Sequence, residues 1–276
     1  MWVIKASGKK EEFNPEKILG TLRRAGASGK LAGEIVKEVE SKAYDGIRTR
    51  DILDIALGIL RKSKPEISVI YDLKRALMNL GPTGFAFEKF FAQILNNYGY
   101  ETSIGDIVKG RFTTHEVDVS ARKKQRYMIE CKYHNSPGTY TNLKVALYVY
   151  ARFLDLNKKY DVPWLATNTR LSSNAVKYAE GVKMKITGWQ YPKREGLQDL
   201  IEGKKLYPIT ILKSVNNFVK ASLSEAGILL AKDILKHDIQ ELKSKTRIPE
   251  NILKNLVEEA KMVYKVKIGK NPSQKI

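Results

Sequence analysis

Residues 115–135 read HEVDVSARKKQRYMIECKYHN and set Asp118, Glu130 and Lys132 among Val117, Val119, Ile129 and Cys131. Charges are scarce in such apolar company unless they are paired or bind something. In a strand, side chains two apart share a face, so Glu130 and Lys132 project together and Cys131 points the other way. If EVDVSA pairs antiparallel with RYMIECKY, Asp118 reaches that same face. Two carboxylates of this kind bind Mg2+ or Mn2+, hard cations that take oxygen ligands. Such a cation lowers the pKa of a bound water and offsets charge building on a scissile phosphate. A lysine beside them can orient or deprotonate the water and touch the phosphate. Glu88 lies among Phe85, Phe87, Phe90 and Phe91, a setting that could aim it at the same cluster. The plain alternative is a surface hairpin with a Glu130–Lys132 ion pair, which is common in strands.

These residues need elements to hold them, and the pattern supplies them. GFAFEKFFAQILNNYGY has the spacing of an amphipathic helix ending at Gly99. EVDVSA and RYMIECKY read as strands joined by the basic turn RKKQ. TNLKVALYVYARFLDLNKK reads as a long helix, VPWLATN as a buried strand, SSNAVKYAEG as a helix and KMKITGW as a last strand. Ahead of this block, WVIKASGKKEEF alternates around a turn at Gly8. Asn14-Pro15 then caps and opens the first of four helices. The fourth, ISVIYDLKRALMNL, stops at Gly81-Pro82, a strong break. After residue 195 the chain reads as mostly helical, with a tight turn at Gly227, a helical pattern continued over AKDILKHDIQELKSKT and over PENILKNLVEEAKMVY, where Pro249 stands near a helix start, and a polar, frayed end in KIGKNPSQKI. The expected architecture is a multi-domain α/β chain with domains at 1–81, 82–195 and 196–276.

Composition narrows the function. The 276 residues hold 49 Lys plus Arg against 30 Asp plus Glu, a net charge of +19. A polyanion is the natural partner, although a Lys-rich surface can also serve solubility alone. The single cysteine, Cys131, excludes an internal disulfide, and no Cys/His spacing makes a zinc finger. Apolar runs are too short to span a bilayer and no signal pattern opens the chain, so a cytoplasmic protein without a membrane partner is expected. Cys131 and Tyr133 are expected to pack in the core, as is Tyr140, and His134 to sit in a loop without a catalytic role.

The order of features in the middle domain resembles the PD-(D/E)xK nuclease superfamily, the restriction-endonuclease-like fold. A helix carries a glutamate, an aspartate follows, Glu-x-Lys stands on the adjacent strand, and a helix comes next. The match runs through GFAFEKFFAQILNNYGYE, HEVDVSARKKQRYMIECKYHN and WLATNTRLSSNAVKYAEGVKMKITGW. It is closest to the Mrr-like branch, whose core includes archaeal Holliday junction resolvases. Val117 stands where the superfamily often has proline. The resemblance implies Asp118 and Glu130 as metal ligands, Lys132 as the catalytic lysine and Glu88 as the helix-borne acid.

The N-terminal segment resembles the ATP-cone, the regulatory nucleotide-binding domain of ribonucleotide reductases and of the repressor of their genes. The matching features are a strand and glycine turn, Phe-Asn-x-x-Lys-Ile, and the later Gly-Ile-Arg-Thr-x-x-Ile. Lys5, Lys9 and Lys17 can face a triphosphate near a helix start that offers N–H groups. The resemblance implies contacts to ATP or dATP from Lys5, Glu11, Asn14, Lys17 and Thr49, while Leu53 falls where some members have a polar contact. A cone that keeps the fold without the ligand is the alternative. There is no P-loop, so the domain would sense nucleotide rather than hydrolyse it.

The C-terminal segment resembles helix-hairpin-helix or SAM-like modules. There the EAGI turn would offer the N–H groups of Gly227 and Ile228 to a phosphate, with Lys232 adding charge. A protein-interaction or dimerisation module is the other reading. Together the three parts imply a Mg2+-dependent DNA endonuclease responsive to ATP or dATP, in defence or repair. A homodimer is expected for cutting both strands. The rival is a non-catalytic, nucleotide-responsive DNA-binding regulator.

Overall fold

The structure, a computed structural model, describes residues 1–156 and 158–265. The polar end expected to fray lies outside the described residues. The chain divides into two compact units, Met1–Leu77 with the segment from Ile209 onward, and Met78–Pro208.

The first unit opens with β1 (Trp2–Ile4) and β2 (Lys10–Glu12), an antiparallel hairpin turning at Gly8, whose φ of +77° suits glycine. Helix α1 (Pro15–Arg24) follows with Asn14 as N-cap, its side chain accepting from the Glu16 N–H at 2.9 Å. Helix α2 (Gly29–Lys42) leads to β3 (Ile47–Arg48), which adds a parallel strand to β1 that the sequence reading omitted. Helix α3 (Thr49–Ser63) is followed by α4 (Pro65–Tyr71) and α5 (Leu73–Met78). The expected single fourth helix is thus two, interrupted at Asp72. Leu22, Ile35, Val39, Leu57 and Leu60 form a buried apolar core.

The second unit begins with α6 (Phe85–Asn97), then β4 (Glu101–Lys109), β5 (Thr114–Arg122) and β6 (Arg126–Lys132). β7 (Tyr140–Thr141), α7 (Leu143–Asp155), β8 (Val162–Thr167) and β9 (Arg170–Leu171) follow. The unit closes with α8 (Ser173–Gly181), β10 (Lys185–Thr187) and α9 (Leu197–Gly203). One five-stranded sheet runs β10-β8-β6-β5-β4. β4, β5 and β6 form an antiparallel meander, and β6, β8 and β10 are parallel. Trp164 and Leu165 are neighbours on β8, so they serve opposite faces. Trp164 meets Phe91 of α6 edge-on, with ring centroids 5.6 Å apart. Leu165 joins Met128, Ala146, Val149 and Ala175 beneath α7 and α8. The sheet is therefore covered on both faces.

Strand β4 is the longest element that the sequence reading missed. It is an edge strand, so one side of it meets solvent and its apolar alternation is weak. Gly105 breaks the pattern with a φ of +69°.

The last segment carries α10 (Asn217–Glu225), α11 (Ala231–Ile234), α12 (Ile239–Thr246) and α13 (Glu250–Lys265). The run expected to continue the helical pattern is cut by Asp238, which caps α12 through the Glu241 N–H at 2.8 Å. Helix α13 packs on α4, and Thr210 Oγ1 donates to the Ala76 carbonyl at 2.6 Å. These helices share a compact unit with the N-terminal segment rather than standing apart from residue 196 onward.

Candidate active site

Strands β5 and β6 pair in register from Arg122↔Arg126 to Val119↔Ile129, and there the pairing ends. The next register positions are Asp118 and Glu130. β6 continues along β8, with Glu130 opposite Leu165 and Lys132 opposite Thr167. β5 continues along β4, with Val117 opposite Asp106. The two strands part at this point, and the Asp118 carboxylate bridges the gap by accepting the Cys131 N–H at 2.7 Å. Carboxylates from adjacent strands thus meet at the fork, with Lys132 exposed one strand period further on.

Helix α6 adds Glu88 from its first turn. Its neighbours Phe87, Phe90 and Phe91 are buried and fix the helix against the sheet. Glu88 is pushed up to about 7, first by burial and then by the charges of Asp118, Glu116 and Glu130. Glu130 is also pushed up to about 7, by burial and by Asp118, against the pull of Arg152 and Lys132. Asp118 is raised by burial as well, an effect opposed by its bond from Cys131. Three carboxylates therefore share one poorly hydrated place.

Two further residues belong to it that the sequence reading did not name. Arg152 of α7 is 8% exposed. One terminal nitrogen donates to Glu130 and the other to the Glu116 carbonyl. Its Nε lies buried with no partner among the described residues. Glu116 adds a fourth acidic residue, on β5 two residues before Asp118. Both had a signal. Arg152 falls on the same helical stripe as Ala146 and Val149, where an arginine must find a buried acceptor. Glu116 shares strand parity with Asp118.

The alternative of a Glu130–Lys132 ion pair is not what forms; Glu130 pairs with Arg152. His134 lies in the loop after β6, as expected, and is hydrogen-bonded to buried polar neighbours. Its N–H donates to Asn168 Oδ1 at 2.8 Å, and its Nε2 lies 3.1 Å from Thr141 Oγ1. Cys131 is buried, and Tyr133 stacks on Phe87 at 5.8 Å. Tyr140 is exposed, contrary to expectation.

The donor set fits a hard divalent cation. Asp118 and Glu130 offer oxygen ligands at one fork, and their crowded, desolvated charges are what a cation relieves. No three His, Cys, Asp or Glu side chains stand at metal-ligand spacing among the described residues.

In the first unit, Glu11 accepts from Lys17 at 2.9 Å and pairs with Lys5. The Lys5 hydrogen bond is the main cause of its carboxyl lying below the usual range. The β1–β3 pairing ends at Ile4↔Arg48, one residue before Lys5 and Thr49. The structure thus gathers Lys5, Glu11 and Lys17 in one ion-pair cluster, with Asn14 at the helix cap of α1 and Thr49 opening α3. Lys9 sits in the hairpin turn, its carbonyl accepting from the Lys5 N–H at 2.9 Å.

The EAGI turn differs from expectation. The Gly227 N–H donates to the Ser224 carbonyl at 3.1 Å and the Ile228 N–H to the Leu223 carbonyl at 2.8 Å. Both close the last turn of α10, so neither is a free donor for phosphate. Lys232 lies on α11 and has an interaction of its own.

Comparison with known proteins adds three matched segments. A family described as ATP cone domain matches residues 1–71, one described as restriction endonuclease matches 81–200, and one described as AF1548-like, C-terminal, matches 207–264. An Archaeoglobus fulgidus relative, named only as an uncharacterized protein, is 46% identical over 154 residues, which is 55% of this chain and 87% of the relative. A solved structure titled as a protein of unknown function, AF1548, superposes with a TM-score of 0.62 at 40% identity, covering 67% of this chain and 100% of that one. No helix among the described residues is long and apolar enough to cross a membrane.

Proposed function

From a chain that belongs to the AF1548-like family, with an ATP-cone domain ahead of an Mrr-like restriction-endonuclease-like domain, we propose a metal-dependent DNA endonuclease whose activity responds to ATP or dATP. The observation that carries this reading is the fork where β5 and β6 part, with Asp118, Glu130 and Glu88 meeting in a desolvated site and Lys132 at its rim.

Asp118 and Glu130 would hold Mg2+ or Mn2+. When bound, the cation lowers the pKa of water and offsets charge on the phosphate. The protein does the rest. Lys132 holds a phosphate oxygen by charge-assisted hydrogen bonds. Glu88, balanced near 7, accepts the proton of the attacking water near neutral pH. The water oxygen bonds to phosphorus, the ester P–O bond breaks, and the leaving oxygen takes a proton from solvent. Arg152 keeps the Glu130 carboxylate aimed into the fork. In the cone, the Lys5–Glu11–Lys17 cluster would open to receive the triphosphate.

The test is incubation of wild type and Asp118→Ala with supercoiled plasmid and with a branched junction, in Mg2+, with and without ATP. Cutting by wild type alone, stopped by EDTA, is expected. If neither chain cuts either DNA in Mg2+ or Mn2+, the catalytic reading fails.

A further inference from the structure

The hairpin joining β4 to β5 carries a feature the catalytic reading leaves unused. Its tip, Lys109–Gly110–Arg111–Phe112–Thr113, leaves Phe112 81% exposed, and nearby Ile107 is 69% exposed. The Arg111 guanidinium lies over the Phe112 ring, 4.8 Å from its centroid. Neither Lys109 nor Arg111 forms an ion pair among the described residues.

The tip is tied down. Asp155, at the end of α7, accepts from the Phe112 N–H at 2.8 Å and the Thr113 N–H at 3.2 Å, and its carboxylate also meets His115 Nε2 at 2.7 Å. The Arg111 N–H donates to the Asp155 carbonyl at 2.7 Å, and the Gly110 N–H to the Thr113 carbonyl at 2.7 Å. A Cβ on Gly110 would collide with the Asp155 carboxylate and come within 2.8 Å of the Thr113 carbonyl oxygen. Asp155 is thus spent on the N–H groups of the loop and on His115. A bare aromatic on a rigid loop loses little entropy when it is covered.

The same helix serves the candidate active site. Arg152, three residues before Asp155, holds Glu130, so one turn of α7 fixes both the fork and the tip. From Phe112 at the tip to Asp118 the chain runs six residues, about 20 Å at ~3.4 Å per residue. That is roughly six base pairs along a duplex, at ~3.4 Å each.

We propose that this tip is a DNA-stacking element. Phe112 lies against a base laid bare where the stack is interrupted, about six pairs from the scissile phosphate, while Arg111 and Lys109 hold flanking phosphates. Charge complementarity selects DNA as occupant: the tip is aromatic flanked by unpaired cations on a chain of net charge +19. The inference rests on the reading of this unit as a DNA-acting domain and narrows its substrate to branched or locally unstacked DNA.

The test is binding by the full chain in EDTA, which keeps it independent of cutting. Fluorescence anisotropy compares a four-way junction with an intact duplex of the same sequence. Wild type is expected to favour the junction. Phe112→Ala is expected to lose roughly 5- to 150-fold in junction affinity, the worth of stacking one base on an aromatic ring, and to leave duplex affinity unchanged. Phe112→Tyr restores it. Arg111→Ala weakens both complexes and lowers the salt slope by about one. Equal junction binding by wild type and Phe112→Ala overturns the proposal, as does no junction preference, or no DNA binding, by wild type. If Phe112→Ala instead splits a dimer in sedimentation, the tip is an interface between copies and the proposal falls. Loss of junction binding in Phe112→Ala, with no cutting by wild type in Mg2+, would sink the nuclease and keep the stacking element.

Discussion

Replacing Arg152 with methionine isolates the charge balance at the fork. Methionine keeps the length of the side chain and suits the apolar stripe beside Ala146 and Val149. It removes the cation that faces Glu130 and the donor to the Glu116 carbonyl. Losing one member of a buried ion pair costs about 3–5 kcal/mol when the other stays charged. Glu130 can escape that cost by taking a proton. Its folded pKa is about 7, against 4.5 as a free side chain, and Arg152 is one of the groups holding it down. A carboxyl raised in this way favours the fold at low pH, and that contribution is lost as pH climbs through the folded value. Without Arg152 the folded value rises further. The variant's deficit relative to wild type therefore grows above pH 7, by about 1.4 kcal/mol for each unit of added shift. At pH 5 Glu130 is neutral in both chains, and the deficit shrinks to about 1 kcal/mol for the lost hydrogen bond. Urea unfolding followed by tryptophan fluorescence at pH 5, 7 and 9 reads this directly, since Trp164 and Trp189 are both buried in the unit concerned. Arg152→Met/Glu130→Gln should recover most of the loss at pH 9. A deficit equal at all three pH values, or largest at pH 5, would refute the reasoning.

Three other outcomes follow from the same geometry. Glu88→Gln removes a carboxylate whose pKa is pushed up to about 7, so it should raise the thermal midpoint by a few degrees at pH 8.5 and leave it unchanged at pH 5.5. Because Asp118 and Glu130 must shed protons to bind a cation, calorimetric Mn2+ affinity should climb with pH, by up to about tenfold per unit for each proton released, and level off above about 7; Asp118→Asn should abolish the heat of binding. ATP should raise the thermal midpoint of wild type, and Lys5→Ala, which removes one of two lysines held by Glu11, should cut that rise by at least half, while a full rise in the variant would take Lys5 out of the nucleotide site.

What the sequence determined by itself was local. Strand parity put Glu130 and Lys132 on one face and Cys131 on the other. Asn14-Pro15 specified a helix start because a cap needs only its own next residues. The glycine turns at Gly8, Gly99 and Gly227 adopt the positive φ their residue type allows. The relations that make a site came only with tertiary structure. Glu130 meets Arg152, 22 residues on, because α7 crosses back over the sheet and turns its charged position inward. That replaced the nearby Glu130–Lys132 pairing, which adjacency alone suggested. β4 escaped notice because an edge strand half open to water does not need the alternation that betrays a buried one. The EAGI turn looked like a phosphate loop because its residue types permit one, but the end of α10 had carbonyls to satisfy and took both N–H groups. The helices after Ile209 looked like a domain of their own because periodicity reports that a helix has an apolar face and not what covers it. The folded chain sets α13 against α4, a choice made by complementary surfaces some 190 residues apart in sequence, where no local pattern reaches.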